Sequence, residues 1–452
     1  MKKSVRKLVC LVIAAVVGCI PTLSVQAAAV NAHAEMEAIQ EQVSQITSDI
    51  SEATPLEKTD IRDLVNYQIN TYIMTEHEAE GRTLSPGEES AWIPLADLEG
   101  NCFAYLVPLV DQETGEIGYI TMGAIEDGFT KYMLAWDTGL LVAYRELLDS
   151  TPEAVPVFFQ PMQYGYLIDG EEGKQIFLMQ EEGAEAVDIT ASVAENAEQL
   201  TASYQVVRSP ENAARVESSL NMADQIQQSG SARGAARVAV EDVRLSCEWK
   251  GTDKFVPIVD NNGKTWYGGN QNWYEDSGKR SNGCGPVAAS NVLYYMSRTD
   301  TKYRKLYPYS ALSFVNFRGF MNIVYDYVNP APFGEISLSS WASDVVRYAS
   351  NNGVTLTSNI WYCTPPKNQC ENFIKNGLKL DRPVGSLNLA GPFGSGQVEA
   401  WHWVTITKYF QSSGDDRWLG VSSMGQRRGL DWDAYYANMT SSLLDSGFAY
   451  FT

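Results

Sequence analysis

Ser281-Asn282-Gly283-Cys284-Gly285-Pro286-Val287-Ala288-Ala289-Ser290-Asn291-Val292-Leu293-Tyr294-Tyr295-Met296 is the stretch on which the reading of this chain turns. Gly283 and Gly285 flank a thiol and permit close backbone approach there. Pro286 suits the first turn of a helix. The residues after it are helix formers with an apolar face, and a helix is predicted over 286–297. Cys284 then stands at a helix N-terminus. The macrodipole and backbone N–H groups of such a site stabilise a thiolate and can hold an oxyanion. Alone, the segment reads equally well as a buried cysteine ahead of a core helix.

A nucleophilic thiol needs a base. The chain holds three histidines, His33, His77 and His402, and only His402 lies in the second half. It sits in Trp401-His402-Trp403-Val404-Thr405-Ile406-Thr407-Lys408-Tyr409, which alternates like a strand, after the glycine-rich loop Gly391-Pro392-Phe393-Gly394-Ser395-Gly396. A histidine at a loop-to-strand junction, over a hundred residues from a helix-start cysteine, fits a spatial dyad; the alternative is a core or surface histidine. So few histidines leave no Cys/His cluster of metal-binding type, and neither a metal nor a cofactor is expected.

Gly283-Cys284-Gly285-Pro286 opening a helix, followed by His402 at a strand start, resembles the papain-like cysteine peptidases. Within them the likeness is to the bacteriocin-processing-peptidase-like group and to streptopain-like secreted zymogens. It covers residues 245–452. The resemblance implies an α+β fold, with a helical lobe around the cysteine and an antiparallel sheet lobe carrying the histidine. The pattern of the chain agrees. Further helices are predicted at 339–351, 368–377 and 433–445, and strands at 383–389, 402–410, 417–423 and 447–451. In the family an Asn or Asp orients the imidazole. Trp418-Leu419-Gly420-Val421-Ser422-Ser423-Met424-Gly425 is similar to the family's Asn-Ser-Trp-Gly run and places Ser422 where Asn is expected. Serine is a shorter orienter, and a Cys/His dyad works without it. Asp415 and Asp416, nearby, read as a hairpin turn. The family also uses a polar side chain upstream of the cysteine to help hold the oxyanion. Gln271, in Gly269-Asn270-Gln271-Asn272-Trp273-Tyr274, is the candidate, with Asn270, Asn272 and Asn282 as alternatives. The backbone N–H of Cys284 is the expected second donor.

Working outward, charge divides the 452 residues in two. Residues 28–250 hold 39 acids and 12 bases, a net of −27, whereas residues 251–452 hold 16 acids and 18 bases, a net of +2. The whole chain is at −21, which excludes a nucleic-acid binder working through a generally basic surface. The 28–226 segment reads as an acidic α+β domain. Helical patterns lie at 34–50 and 59–72, followed by strand-like runs at Cys102–Val110, Ile117–Met122, Tyr132–Trp136, Val155–Phe159 and Gln175–Met179. It contains no catalytic constellation and resembles the propeptide region of streptopain-like enzymes in position and strand content. Residues 227–244 are small and polar and read as a linker. They carry processing sites at Arg233, Arg237 and Arg244.

The chain opens on a basic stretch, an apolar run from Leu8 to Leu23 and small residues ending at Ala27-Ala28-Ala29. These are the parts of a secretory signal, 1–27, with cleavage expected near Ala27. The alternatives are an uncleaved anchor helix or a lipoprotein signal with Cys19 lipidated. Each places the remainder outside the cytoplasm, secreted or on a bacterial cell surface; after signal removal no integral membrane span is expected. Cys102, Cys247, Cys284, Cys363 and Cys370 remain after the signal. An odd number leaves at least one thiol unpaired or bridged to another molecule. Cys363 and Cys370 are spaced for a small loop disulfide.

The expected activity is that of a secreted cysteine peptidase made as a zymogen. Cys284 is the nucleophile and His402 the acid/base. The partners are a protein or peptide substrate and the acidic half acting as an intramolecular inhibitor. A Cys/His pair does not separate this from a cell-wall peptide hydrolase or amidase, and Ser422 leaves room for a non-catalytic binding module on the same scaffold.

Overall fold

The computed structural model describes residues 24–170, 173–179, 186–228, 239–248, 254–330, 336–390, 402–442 and 445–452. The expected signal stretch as far as Leu23 with Cys19, the expected processing sites Arg233 and Arg237, the 391–396 loop and Trp401 lie outside them. The protein is mixed α and β, built on one large, mostly antiparallel sheet.

Both halves of the chain share that sheet. From one edge its strands run Ser358–Tyr362, Gly447–Phe451, Val384–Asn388, His402–Ser412, Arg417–Ser423 and Gln426–Asp431, all from the second half. Next come Lys131–Ala135, Gly115–Gly123, Cys102–Asp111, Ile93–Ala96, Val155–Gln160, Gln163–Gly170, Gly173–Leu178 and Val187–Asp188, all from the acidic half. The join is antiparallel, with Arg428, Gly429 and Leu430 opposite Ala135, Leu134 and Met133. Ile93–Ala96 and Val155–Gln160 meet as a parallel pair.

The predicted strands appear within a residue or two of their expected ends. The strand Gln426–Asp431, which makes the join, is not evident in the sequence. Nor is Ala239–Arg244, read as linker: it pairs antiparallel with the His402 strand, Arg244 opposite Lys408. That pairing satisfies a backbone that would otherwise leave open a long sheet edge. Residues 227 and 228 end a helix, Pro210–Gln228, so the described ends of the expected linker are regular structure.

The helix predicted over 286–297 spans Cys284–Thr299, and Gly285 through Ser297 are all buried. A helix covered on every side is central, not peripheral. It packs on the His402 strand and on Phe314–Tyr327. Leu338–Asn351 closes the layer, capped by Ser337, whose hydroxyl accepts from Ser340 N at 3.2 Å. Trp341 from this helix stacks on Trp403 with ring centroids 4.4 Å apart, and donates from Nε1 to Gly285 O at 2.9 Å. Cys363 and Cys370 are separate thiols with sulfurs 4.0 Å apart, about twice a disulfide bond length.

Candidate functional site

Cys284 is the first residue of the buried helix, and Gly283 caps it at φ −87°. A Cβ on Gly283 would lie 2.5 Å from Lys279 O and 2.6 Å from a ring carbon of Tyr274. Only glycine fits between the short helix Ser277–Asn282 and the helix of Cys284. Val287 N bonds Gly283 O at 2.9 Å and Pro286 carries no N–H. The first hydrogen bond of the helix is thus made by Val287. The thiol residue is half-buried.

His402 begins its strand and is 7% exposed. The residues that follow Cys284 and His402 touch: a Cβ on Gly285 would lie 3.4 Å from Trp403 Cδ1. The tryptophan pair thus clamps the helix start to the strand start. The imidazole Nε2 lies 2.7 Å from Ser423 Oγ, while Nδ1 is buried with no hydrogen-bond partner. Burial lowers the His402 pKa to about 4, because a charged ring is poorly solvated there. The imidazole is neutral at neutral pH.

Of the two adjacent serines it is Ser423, not Ser422, that reaches the ring. Successive strand side chains point to opposite faces, and Ser422 faces the helix of Cys284. It donates to Tyr267 O at 2.6 Å and accepts from Asn291 Nδ2 at 3.5 Å. Asn291 also accepts from Gly269 N at 2.9 Å. Ser422 and Asn291 therefore hold the loop that leads to Gln271. Met424 and Gly425 turn the chain with φ of 49° and 72°, the two left-handed residues of a tight primed hairpin. Asn270 Nδ2 donates to Met424 O at 2.9 Å, and Tyr267 N to Gly425 O at 2.7 Å. Gln271 is thereby fixed between the turn beside Ser423 and the cysteine helix. It is buried, yet its Oε1 has no hydrogen-bond partner. The Asn270 side chain is occupied at both ends, its Oδ1 accepting from the backbone N–H of Asn272 at 2.8 Å. Asn282 ends the preceding short helix. Asp415 sits in a hairpin turn at φ 64°, while Asp416 pairs with Lys131; neither reaches His402.

The acidic half contributes to this site. Gln160, Pro161, Met162 and Gln163 form the tip of a hairpin whose strands are Val155–Gln160 and Gln163–Gly170. The tip lines a crevice with Asn388, His402, Ser423 and Met424, and only about 10 Å³ is left in it, scarcely space for one water. Asn388, which pairs with His402 across the sheet, donates to Gln160 Oε1 at 3.5 Å and to Asn438 Oδ1 at 2.8 Å. Sequence reasoning missed Ser423, Asn388, Asn291 and the tip. Ser423 carried a signal, since it neighbours Ser422 in the quoted run; Asn388 is placed by its pairing with His402, and Asn291 and the tip by contacts across more than a hundred residues.

No group of three His, Cys, Asp or Glu among the described residues is placed to hold a metal ion. No described helix is long and apolar enough to cross a membrane. No protein-family model matches the chain, and the curated proteins include no match.

Proposed function

We propose that the protein is an exported cysteine peptidase of papain-like type, made as a zymogen, with Cys284 as nucleophile and His402 as acid/base. The observation that supports this is the packing of Gly285 beside Trp403, the residues that follow the helix-start thiol and the strand-start imidazole, together with an imidazole that has one nitrogen on Ser423 Oγ and the other without a hydrogen-bond partner. In the reaction, Nδ1 takes the thiol proton and Sγ attacks the peptide carbonyl carbon. The oxyanion is received by the Cys284 N–H and the Gln271 side-chain amide. The imidazolium returns its proton to the leaving amine as the C–N bond breaks, leaving a thioester. Water, deprotonated by His402, cleaves the thioester and restores the thiol. Ser423 orients the ring. Ser422 and Asn291 position Gln271.

The acidic half, on this reading, is the inhibitor. Its hairpin tip fills the crevice over His402 and keeps the ring desolvated and neutral. The test is hydrolysis of a denatured protein substrate by the full chain beside Cys284→Ala and His402→Ala. Loss of cleavage in both variants is expected, and undiminished cleavage by Cys284→Ala would overturn the proposal.

A further inference from the structure

We infer that residues 24–228 remain bound as a permanent subunit after the chain is cut between 228 and 239, and that the site opens by withdrawal of the Gln160–Gln163 tip alone. The second clause rests on the proposed function; the first does not. The two contacts of the acidic half with the rest of the protein are built differently.

The seam is built like a core. The sheet runs through it without a break, so separating the halves opens two strand edges. Lys131, from the acidic half, lies 2.8 Å from both Asp416 and Asp431. Glu76 lies 2.7 Å from Lys408 and 2.9 Å from Arg427, and Arg427 also meets Glu248 at 2.8 Å. Arg428 pairs with Asp137 and Arg215 with Asp433. The side chains of Glu76 and Lys408 are wholly buried. Removing one partner of such a pair leaves an uncompensated charge. Tyr72 stacks on Trp418 at 4.5 Å, and Trp418 Nε1 donates to Gln68 Oε1 at 3.3 Å. One apolar cluster joins Ile61, Leu64 and Leu134 to Phe410 and Trp418.

The tip is built for movement. It is a two-residue turn, Pro161-Met162, between the paired Gln160 and Gln163. Met162 holds φ at 73°, a conformation that a side chain of its size adopts at a cost. The amide contact from Asn388 to Gln160 is long, at 3.5 Å. Meanwhile Ala239–Arg244, just beyond the cut, stays paired with the His402 strand. Cutting the connection therefore frees neither half.

The experiment introduces a specific protease site within 229–238 of the full chain, nicks it, and follows two readouts at neutral pH. The first is native mass spectrometry of the nicked protein. Both fragments are expected in one complex; a free, folded second fragment would overturn the inference. The second is the rate at which diethyl pyrocarbonate acylates His402, localised by peptide mass. Nicking alone should leave that rate unchanged. Because accessibility scales with the fraction of open molecules, Met162→Gly, which relieves the strain of the closed turn, should lower it about fivefold, with the fragments still together. Gln160→Ala, which removes the amide contact and part of the packing of the tip, should raise it. A rate that rises on nicking, or that neither tip variant moves, would overturn the tip as the gate. Neither readout needs peptidase activity, so failure of the proposed function would show separately, as an accessible His402 without hydrolysis.

Discussion

Ser423 Oγ stands 2.7 Å from His402 Nε2, and the neighbouring Ser422 points to the other side of the strand, to Tyr267 O. Two adjacent serines thus hold two parts of one site. One fixes the imidazole; the other fixes the loop of Gln271.

The two serines are separable by substitution. Ser423→Ala should lower kcat roughly tenfold with KM little changed, because an orienting group tunes the base without transferring the proton. Ser422→Ala should instead cost about 1–3 kcal/mol of stability, since Tyr267 O loses its donor in a buried place. Steady-state kinetics and urea unfolding of both variants check the pair. Equal effects on both measurements would contradict the division.

Gln271 offers the opposite combination. Its Oε1 makes no hydrogen bond, so Gln271→Ala should leave the unfolding midpoint nearly unchanged. If its amide receives the oxyanion, kcat should fall about 100-fold. Rescue by Gln271→Asn is not expected, because the shorter side chain cannot span the same distance.

The His402 ring should titrate near 4, below the ordinary histidine value of about 6.5. In the window between those values an exposed ring binds a proton that the covered ring does not. Stability of the covered state is thus fully present above pH 6.5 and is lost as pH falls toward 4. The ceiling is on the order of 3 kcal/mol for this group. NMR of the imidazole protons gives the pKa directly. A ring that titrates at its ordinary value in the intact chain would show that the tip does not desolvate it.

Lys131 lies between Asp416 and Asp431, and Asp431 also caps the helix Trp432–Ser441 by accepting from Ala434 N at 2.8 Å. Lys131→Met leaves two buried carboxylates without their cation. It should destabilise the chain by about 3–5 kcal/mol at neutral pH, read from urea unfolding. Acid should narrow the gap to wild type, because burial pushes the Asp431 carboxyl up and, once protonated, it no longer needs the lysine.

The Cys284 helix was legible because an apolar face, a first-turn proline and a preceding glycine agree over sixteen residues. The His402 strand was legible from its alternation. Gln426–Asp431 was not. Gln426-Arg427-Arg428-Gly429-Leu430-Asp431 carries two cations in a row and looks like an exposed turn. It is buried because Arg428 finds Asp137 291 positions earlier and Arg427 finds Glu76 and Glu248. Charge counts misled in the same way. The acidic half looked separate from the rest by its charge, yet its Glu76 is a buried partner of Lys408 and Arg427 in the other half. Burial of Glu76 opposes its ionisation, but Arg427 and Lys408 outweigh it and hold the carboxyl below its ordinary range.

By itself the sequence determined the local elements: where helices start, which runs alternate, and that a glycine-flanked thiol opens a helix. Those depend on residues within a turn or two of one another. Tertiary structure alone decided which serine meets His402, what covers the ring, and that both halves share one sheet. Strand order and buried ion pairs are set by contacts between residues hundreds of positions apart, and no local preference encodes them.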